Sequence, residues 1–512
     1  MVTKVKNRMI DGAAVNVLDK GAVGDGIHDD TVAIQAAIDE ASTHGGSVYA
    51  PAGTYLVSRQ VPAGDRNYAL LINANNVSLR GDGKSTVFKL VGGSAGDCTV
   101  LSLGQLGDIN DIKTGITLQD FTIDGNWDEV TWDGGDGVSP PYDQNGISGA
   151  LLEDCHVTNV LVKDCGQDGF TLGSSRRCSL TNVTVRDCGK GCFTAFLCQD
   201  IVVTGGYFIN PNSSPDLGVT KPFYTTSSGG YPAVGFGYAP FPEFSSYRSR
   251  CIVTGAHVVI NHGDGTRGRG IFQSWDGSDL IASGNYVHNI SGSTCVELSS
   301  TQAGSVSFIV DGNILINEQD GWGNSFTAEN AKITWSNNSV TTKGTGLTVV
   351  DCDVLSMSDS TFNLAGATAG SFTFDIRGAK TVFVQGVSGQ ENATFNGITT
   401  TCYWTGNDIP ARAGISNVDF VGEITYTTNF AGRAGSTISA GGYDTVDVTG
   451  FTGLSYDTLI TKAYANSLAI AALDIDIIAK VVAADTIRIT IYNHTAGDIL
   501  VGGASWYAEV QD

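Results

Sequence analysis

The sequence predicts an all-β chain, a parallel β-helix with an N-terminal capping helix and a C-terminal antiparallel β-sandwich. Three observations carry that expectation. Glycine is abundant at 66 residues, while proline is only 11 and charged residues 16%. Glycines scattered among short Val, Ile, Thr and Phe runs mean many tight turns, and so many short strands. Residues 158–166, TNVLVKDCG, return at 181–189 as TNVTVRDCG, matching at seven of nine positions after a shift of 23. One of the two changes is Lys163 to Arg186. Weaker echoes follow at 282–289, 310–317, 335–342 and 357–364, with turn residues Gly284, Gly312, Asn337 and Asp359 at comparable spacing. A repeat of this length without helical periodicity indicates stacked coils of parallel strands.

Each coil alone cannot bury its apolar face. Stacking at about 4.8 Å per coil puts Phe170 over Phe193, and Cys165 over Cys188, in interior ladders. The cysteines then act as small apolar fillers. Asn159 and Asn182 are expected to form a stacked turn ladder. One helix is expected: Ile34, Ala37, Ile38 and Ala41 share a face, Asp29-Asp30 can cap it, and Gly45-Gly46 ends it. It would plug the open end of the coil stack, where apolar core and unpaired backbone would otherwise be exposed. Residues 47–57 then read as strand, Pro51-Ala52-Gly53 turn, strand.

The totals bound the rest. The 512 residues exceed what one core normally organises. A formal charge of -23 and a pI near 4.5 argue against nucleic acid and anionic membranes as partners. The 11 cysteines form no CxxC pairs, against a zinc site or a full disulfide framework. No run of about 18 apolar residues occurs, so membrane insertion is not expected. The opening MVTKVKNRMIDGAAV lacks the apolar core of an ordinary secretory signal.

The run GAVGDGIHDDTVAIQAAIDEASTHGGSVYAPAGTYLV (21–57), with FTIDGN at 121–126, resembles the pectate-lyase-like family found in many phage tailspikes. The preceding RMIDGAAVNVLDK (8–20) is more similar to a tailspike start than to a secreted pectinase start. The resemblance implies a right-handed parallel β-helix, usually a homotrimer, acting on polysaccharide. It implies a bacterial surface polysaccharide and a virion tail or adaptor protein as partners, with a secreted bacterial enzyme as the alternative. Residues 1–20 form an N-terminal segment, 21–404 the β-helix and 405–430 a linker. The alternating runs of 431–512 form a β-sandwich for trimerisation or glycan contact.

A β-helix interior is filled, so chemistry belongs on an outer face or in loops. Residues 125–146 interrupt the repeat with Trp127, Trp132 and Tyr142. Residues 207–250 carry Phe223, Tyr224, Tyr231, Phe236, Tyr238, Phe241, Phe244 and Tyr247. Such aromatics either stack on sugar rings or pack their loops. Alternation along GFTL (169–172), CFTA (192–195), GIFQ (270–273) and CVEL (295–298) sends Phe170, Phe193, Ile271 and Val296 inward. It sends Thr171, Thr194, Phe272 and Glu297 outward on one ribbon. Trp275 and Asp276 leave that ribbon, Asp168 enters it, and His262, Arg267 and Arg269 lie in the loop before it.

Carboxyl groups one coil apart stand about 5 Å from each other, and two coils apart about 9.5 Å, which suit retaining and inverting glycoside hydrolysis. Glu297 and Asp276 are therefore the expected acid and base or nucleophile, with Asp168 in reserve. The competing chemistry is β-elimination from uronate chains, with Arg248, Arg250, Arg267, Arg269, His262 or Tyr247 as base and neutralising cation. FTIDGN is also similar to alginate epimerases and lyases. Where those carry Tyr-Gly-Phe-Asp-Pro-His, this chain has Asp168-Gly169-Phe170-Thr171-Leu172-Gly173, without the catalytic Tyr, Asp and His. Polygalacturonase-type Asn-Thr-Asp and Arg-Ile-Lys runs are absent too. No cofactor is expected; Asp124, Asp128, Asp133 and Asp136 form either hydrated turns or a calcium site. A glycan-binding tail protein without catalysis is the alternative from another class.

Overall fold

The computed structural model describes residues 14–60, 67–92, 98–104, 110–129, 144–189, 191–211, 213–214, 219–220, 232–237, 249–261, 269–274, 278–290, 294–318 without 301–305, 323–328, 330–364, 371–389, 393–396, 401–405, 407, 412–413, 419–422, 428–429, 437–438, 443–449, 459–465, 475–483, 486–493, 499–500 and 505–511. Three long parallel sheets, of 15, 13 and 13 strands, run the length of the stack. Nearly every coil gives one strand to each sheet, which makes a parallel β-helix with three faces. We call them sheets I, II and III, in the order a coil visits them. His156–Thr158, Leu161–Lys163 and Phe170–Gly173 are one coil's contribution.

The 23-residue repeat is one such coil. Phe170 pairs with Phe193 in register, and their rings meet edge to face at 5.7 Å. Burying an aromatic of that size contributes roughly 2–3 kcal/mol per rung. Ten cysteines among the described residues are buried, as fillers should be. Asn159 and Asn182 form the expected turn ladder: Asn182 Nδ2 donates to Asn159 Oδ1 at 2.8 Å. Both have positive φ, 53° and 52°, and Gly284, Gly312, Asn337 and Asp359 share that left-handed conformation. Asn, Asp and Gly recur there because they tolerate it best.

The helix is Thr31–Ser42, with Ile34, Ala37, Ile38 and Ala41 buried against the first coil. Of the two aspartates expected to cap it, only Asp29 bonds to the helix by its side chain. Asp29 Oδ1 accepts from Thr31 N at 3.0 Å, whereas the Asp30 carboxylate turns back to accept from Val23 N and Gly24 N at 2.7 and 3.0 Å. Thr43 closes the helix ahead of Gly45-Gly46. Ser47–Tyr49 and Gly53–Val57 are strands as expected, and they lie in sheets I and II on either side of a coil corner.

The coil stack is longer than the expected 21–404. Val15–Asn16 already pairs with the strand Ser47–Tyr49. At the other end, Asp419–Gly422 pairs with Thr401–Thr405, inside the stretch read as linker. Beyond it, pairing turns antiparallel: Thr486–Asn493 lies between Tyr443–Thr449 and Ile475–Ala483, and Ser505–Gln511 pairs with Leu459–Ala465. No helix among the described residues is long and apolar enough to cross a membrane.

Candidate active site on the outer face of sheet III

Sheet III sets the outward ribbon. Thr171 is in register with Thr194, then Gly235, Phe272, Glu297, Ser325, Thr348 and Asp375. The inward partners Phe170, Phe193, Ile271 and Val296 are all buried. Alternation therefore does what the sequence predicts for Thr171, Thr194 and Glu297, which share one side of one sheet, and the backbone of Phe272 stands at the matching register position.

The register holds one strand more than the sequence reading. Pro232–Gly237 inserts between Phe193–Phe196 and Arg269–Ser274. It lies within the stretch 207–250 that reads as a loop excursion, because its PAVGFG has no repeat partner. Phe236 is consequently no loop aromatic: it points inward, is 4% exposed, and packs edge to face on Phe193 at 6.1 Å.

Glu297 and Arg269 are brought together. Arg269 Nε donates to Glu297 Oε2 at 2.7 Å, and Thr294 Oγ1 donates to the same oxygen at 3.2 Å. Both side chains keep a partly open surface, 27% for Arg269 and 21% for Glu297. A carboxylate held by a guanidinium and a hydroxyl in mid-strand has a fixed direction and is still reachable from outside. The strand position of Phe272 lies beside Glu297 on the preceding rung, and Ser325 stands on the following one.

Asp168 is not part of that pair. It enters the strand Phe170–Gly173, four rungs before the strand of Glu297. At about 4.8 Å per rung this is roughly 19 Å, well beyond either glycosidase spacing. Its carboxylate instead ties two coils together, accepting from Gly191 N at 2.7 Å and Thr194 Oγ1 at 3.5 Å. Trp127 is also corrected. Asn126 turns the chain through φ 51°, and Trp127 ends 4% exposed rather than presented to solvent.

The aspartate cluster considered for calcium loses its first member to an ion pair. Lys163 Nζ lies 2.6 Å from Asp124 Oδ2, and Asn126 N donates to Asp124 Oδ1 at 2.8 Å. The side chain of Asp128, with Asp133 and Asp136, lies outside the described residues. So do His262, Arg267, Trp275, Asp276, Trp132, Tyr142, Tyr238 and Tyr247, and the side chain of Phe272.

Two features of the ribbon escape the sequence reading. Asp375 stands three rungs beyond Glu297 and is held by Arg377 Nε at 2.9 Å, so a second carboxylate–guanidinium pair shares the face. The signal was there, because FDIR (374–377) alternates like CVEL. Phe196 is the other, 44% exposed on the same side, one position past the CFTA quartet.

Residues 14–102 match the family model described as rhamnogalacturonase A/epimerase, pectate lyase-like. Mannuronan C5-epimerase AlgE6 of Azotobacter vinelandii is 45% identical over 113 residues, 22% of this chain and 12% of that protein. Alginate lyase 7 of the same organism is 46% identical over 118 residues, 22% of this chain and 13% of that one. The matched stretch thus spans only about an eighth of these relatives. Over the whole chain, the tailspike protein of E. coli bacteriophage HK620, in complex with a pentasaccharide, superposes with a TM-score of 0.57. The two are 13% identical, with 99% of this chain and 97% of that one covered. A mutant of the same tailspike gives 0.59 at 14% identity, covering 98% and 93%. At such identity the likeness is one of fold. The chain thus has a parallel β-helix fold whose opening residues, 14–102, match the pectate-lyase-like model.

Proposed function

We propose that the protein is a tailspike-type depolymerase that binds a bacterial surface polysaccharide along sheet III and cleaves it by endo-acting glycoside hydrolysis. The observation that carries this reading is Glu297, reachable from outside and oriented by Arg269 on a ribbon otherwise rich in hydroxyls. A chain of sugars laid along stacked rungs meets Ser, Thr and carboxylate groups at a regular spacing, which suits repeated hydroxyl recognition. Asp276, two residues past the strand that neighbours Glu297, is the second carboxylate of the reading, as general acid against Glu297 as base or nucleophile. The pentasaccharide in the tailspike complex and the polyuronate-acting relatives both support a glycan as partner. A homotrimer at the virion tail, docked through an adaptor, is the matching assembly and place. A calcium ion among Asp128, Asp133 and Asp136 belongs to the same proposal as an optional structural element.

A lyase is the second reading, favoured by the same ion pair, since β-elimination needs a cation beside a carboxylate of the substrate. The curated relatives lean that way. One observation favours hydrolysis: the alginate-type Tyr, Asp and His are replaced by Asp168, Thr171 and Gly173.

The test is incubation with capsular, O-antigen and alginate polysaccharides. New reducing ends without the ultraviolet absorbance of an unsaturated uronate mark a hydrolase, and the absorbance marks a lyase. Binding without cleavage marks a tail adhesin. Glu297→Gln should lower cleavage by at least about a hundredfold, as expected for a lost acid or base. Unchanged cleavage by that variant would remove Glu297 from the chemistry.

A further inference from the structure

We infer that Phe196 and the open strand floor at Gly173 form a sugar-binding subsite at the far end of the ribbon from Glu297. The inference rests on the glycan reading above and adds where a second part of the same chain is held.

Three observations converge. Phe196 has a glycine at its register position on both neighbouring rungs, Gly173 before it and Gly237 after it. The two glycines are used differently. A side chain at Gly237 would start 3.0 Å from Phe196 Cδ1 and 3.1 Å from Cε1, so the ring occupies the space over that residue. At Gly173 a Cβ would meet, among the described residues, only Gly149 O at 3.9 Å, so none of their side chains fills the slot there. The phenyl ring leans onto one glycine and leaves a seat over the other.

The seat has the mixed lining a pyranose needs. Its wall is an exposed aromatic surface, which takes the C–H face of a sugar ring. Its floor is backbone, with no side chain of the described residues above it. Two residues back along the strands, Thr171 Oγ1 donates to Ser148 Oγ at 3.1 Å, placing two hydroxyls beside the slot. Most large apolar side chains in this stack are buried, and Phe196 is among the few exceptions.

Position sets the consequence. Phe196 lies three rungs before the strand of Glu297 and Gly173 four, on the same outer face. The span is roughly 14–19 Å at 4.8 Å per rung. A glycan that touches both ends covers several sugar units. Short oligosaccharides therefore reach only one end, and the subsite governs affinity for long chains rather than the bond-breaking step.

The experiment compares wild-type protein with Phe196→Ala, Phe196→Trp and Gly173→Val on an array of capsular, O-antigen and alginate polysaccharides. The polymer bound best is then offered as a length series of its oligosaccharides. Gly173→Val fills the seat while Phe196 stays in place, and a β-branched residue suits a strand. Phe196→Ala and Gly173→Val should each weaken binding of long fragments about tenfold, the effect of one lost aromatic contact. Both should leave the shortest bound fragment unchanged, and Phe196→Trp should bind as well as wild type. Equal binding of long fragments by wild type and both disruptive variants, all melting at the same temperature, overturns the subsite and spares the glycan reading. Equal weakening at every length also overturns it. Wild-type protein that binds nothing on the array overturns both.

Discussion

The coils before and after the strand Pro232–Gly237 solve the same corner in two ways. Between sheets I and II, the early coils turn through Asp120, Asn159 and Asn182 and then send Phe121, Val160 and Val183 inward. The later coils turn through Gly255, Gly284 and Gly312, then Asn337 and Asp359, and send Ala256, Asn285, Asn313, Asn338 and Ser360 inward. The first corner is dry and the second is a buried polar ladder. Asn313 Nδ2 donates to Ala282 O and Asn338 Oδ1, while its own Oδ1 accepts from Asn285 N and Asn285 Nδ2, all at 2.9–3.0 Å. Coil length varies on both sides: the early corner steps by 39 and 23 residues, and the ladder by 29, 28, 25 and 22. Buried amides that satisfy one another along the stack hold the second corner in register through directional bonds, whereas the first is held by apolar packing beneath an exposed turn.

The sharpest break in that comparison is a cavity in the early part. Phe193→Ala should lower stability by roughly 3–5 kcal/mol, since rings sit against it on both sides, and denaturant melting reads it directly. Next comes Asn313→Val, which removes the amide and leaves Asn285 N and Ala282 O without their partner. A loss of roughly 2–4 kcal/mol is expected from those groups, although the replacement is apolar. The reciprocal change, Val183→Asn, should also destabilise, by roughly 2 kcal/mol, because no amide stands above or below it to complete a ladder. If Val183→Asn were neutral, the two corners would be interchangeable and the comparison would fail.

Exposed turn residues should matter less. Asn182→Ala puts an alanine at φ 52° and breaks one ladder bond, for a loss of about 1–2 kcal/mol. Smallest of all is the pH effect of Asp311, whose pKa is lowered by hydrogen bonds from Ser336 and Asn337. A carboxylate with a depressed folded-state pKa adds stability above its unfolded value and loses it as pH falls through the folded one. The melting difference between wild type and Asp311→Asn should thus be small at neutral pH and vanish in acid.

What was legible in the sequence follows the same division. The 23-residue step between 158–166 and 181–189 made those two coils readable, so Phe170 over Phe193 and the Asn159–Asn182 ladder could be placed by repeat alone. Alternation then aligned Ile271 and Val296 with them despite changed coil length. The strand Pro232–Gly237 was hidden because a period cannot be followed across a long excursion. Asn285, Asn313 and Asn338 lay in view within SGN, DGN and SNN, but only burial shows that they bond to each other. Asp168 illustrates the limit in the site: sequence distance to the ribbon looked short, and one uncounted strand helped put it out of reach of Glu297.

Each rung bonds only to the ones directly before and after it, and this sets how such a protein can diversify. Recombination between related genes at coil boundaries exchanges whole layers like cassettes, leaving the joints intact because the backbone pairing is the same everywhere. A layer gained or lost between Phe196 and Glu297 would change the length of glycan the face measures, without altering the chemistry at either end.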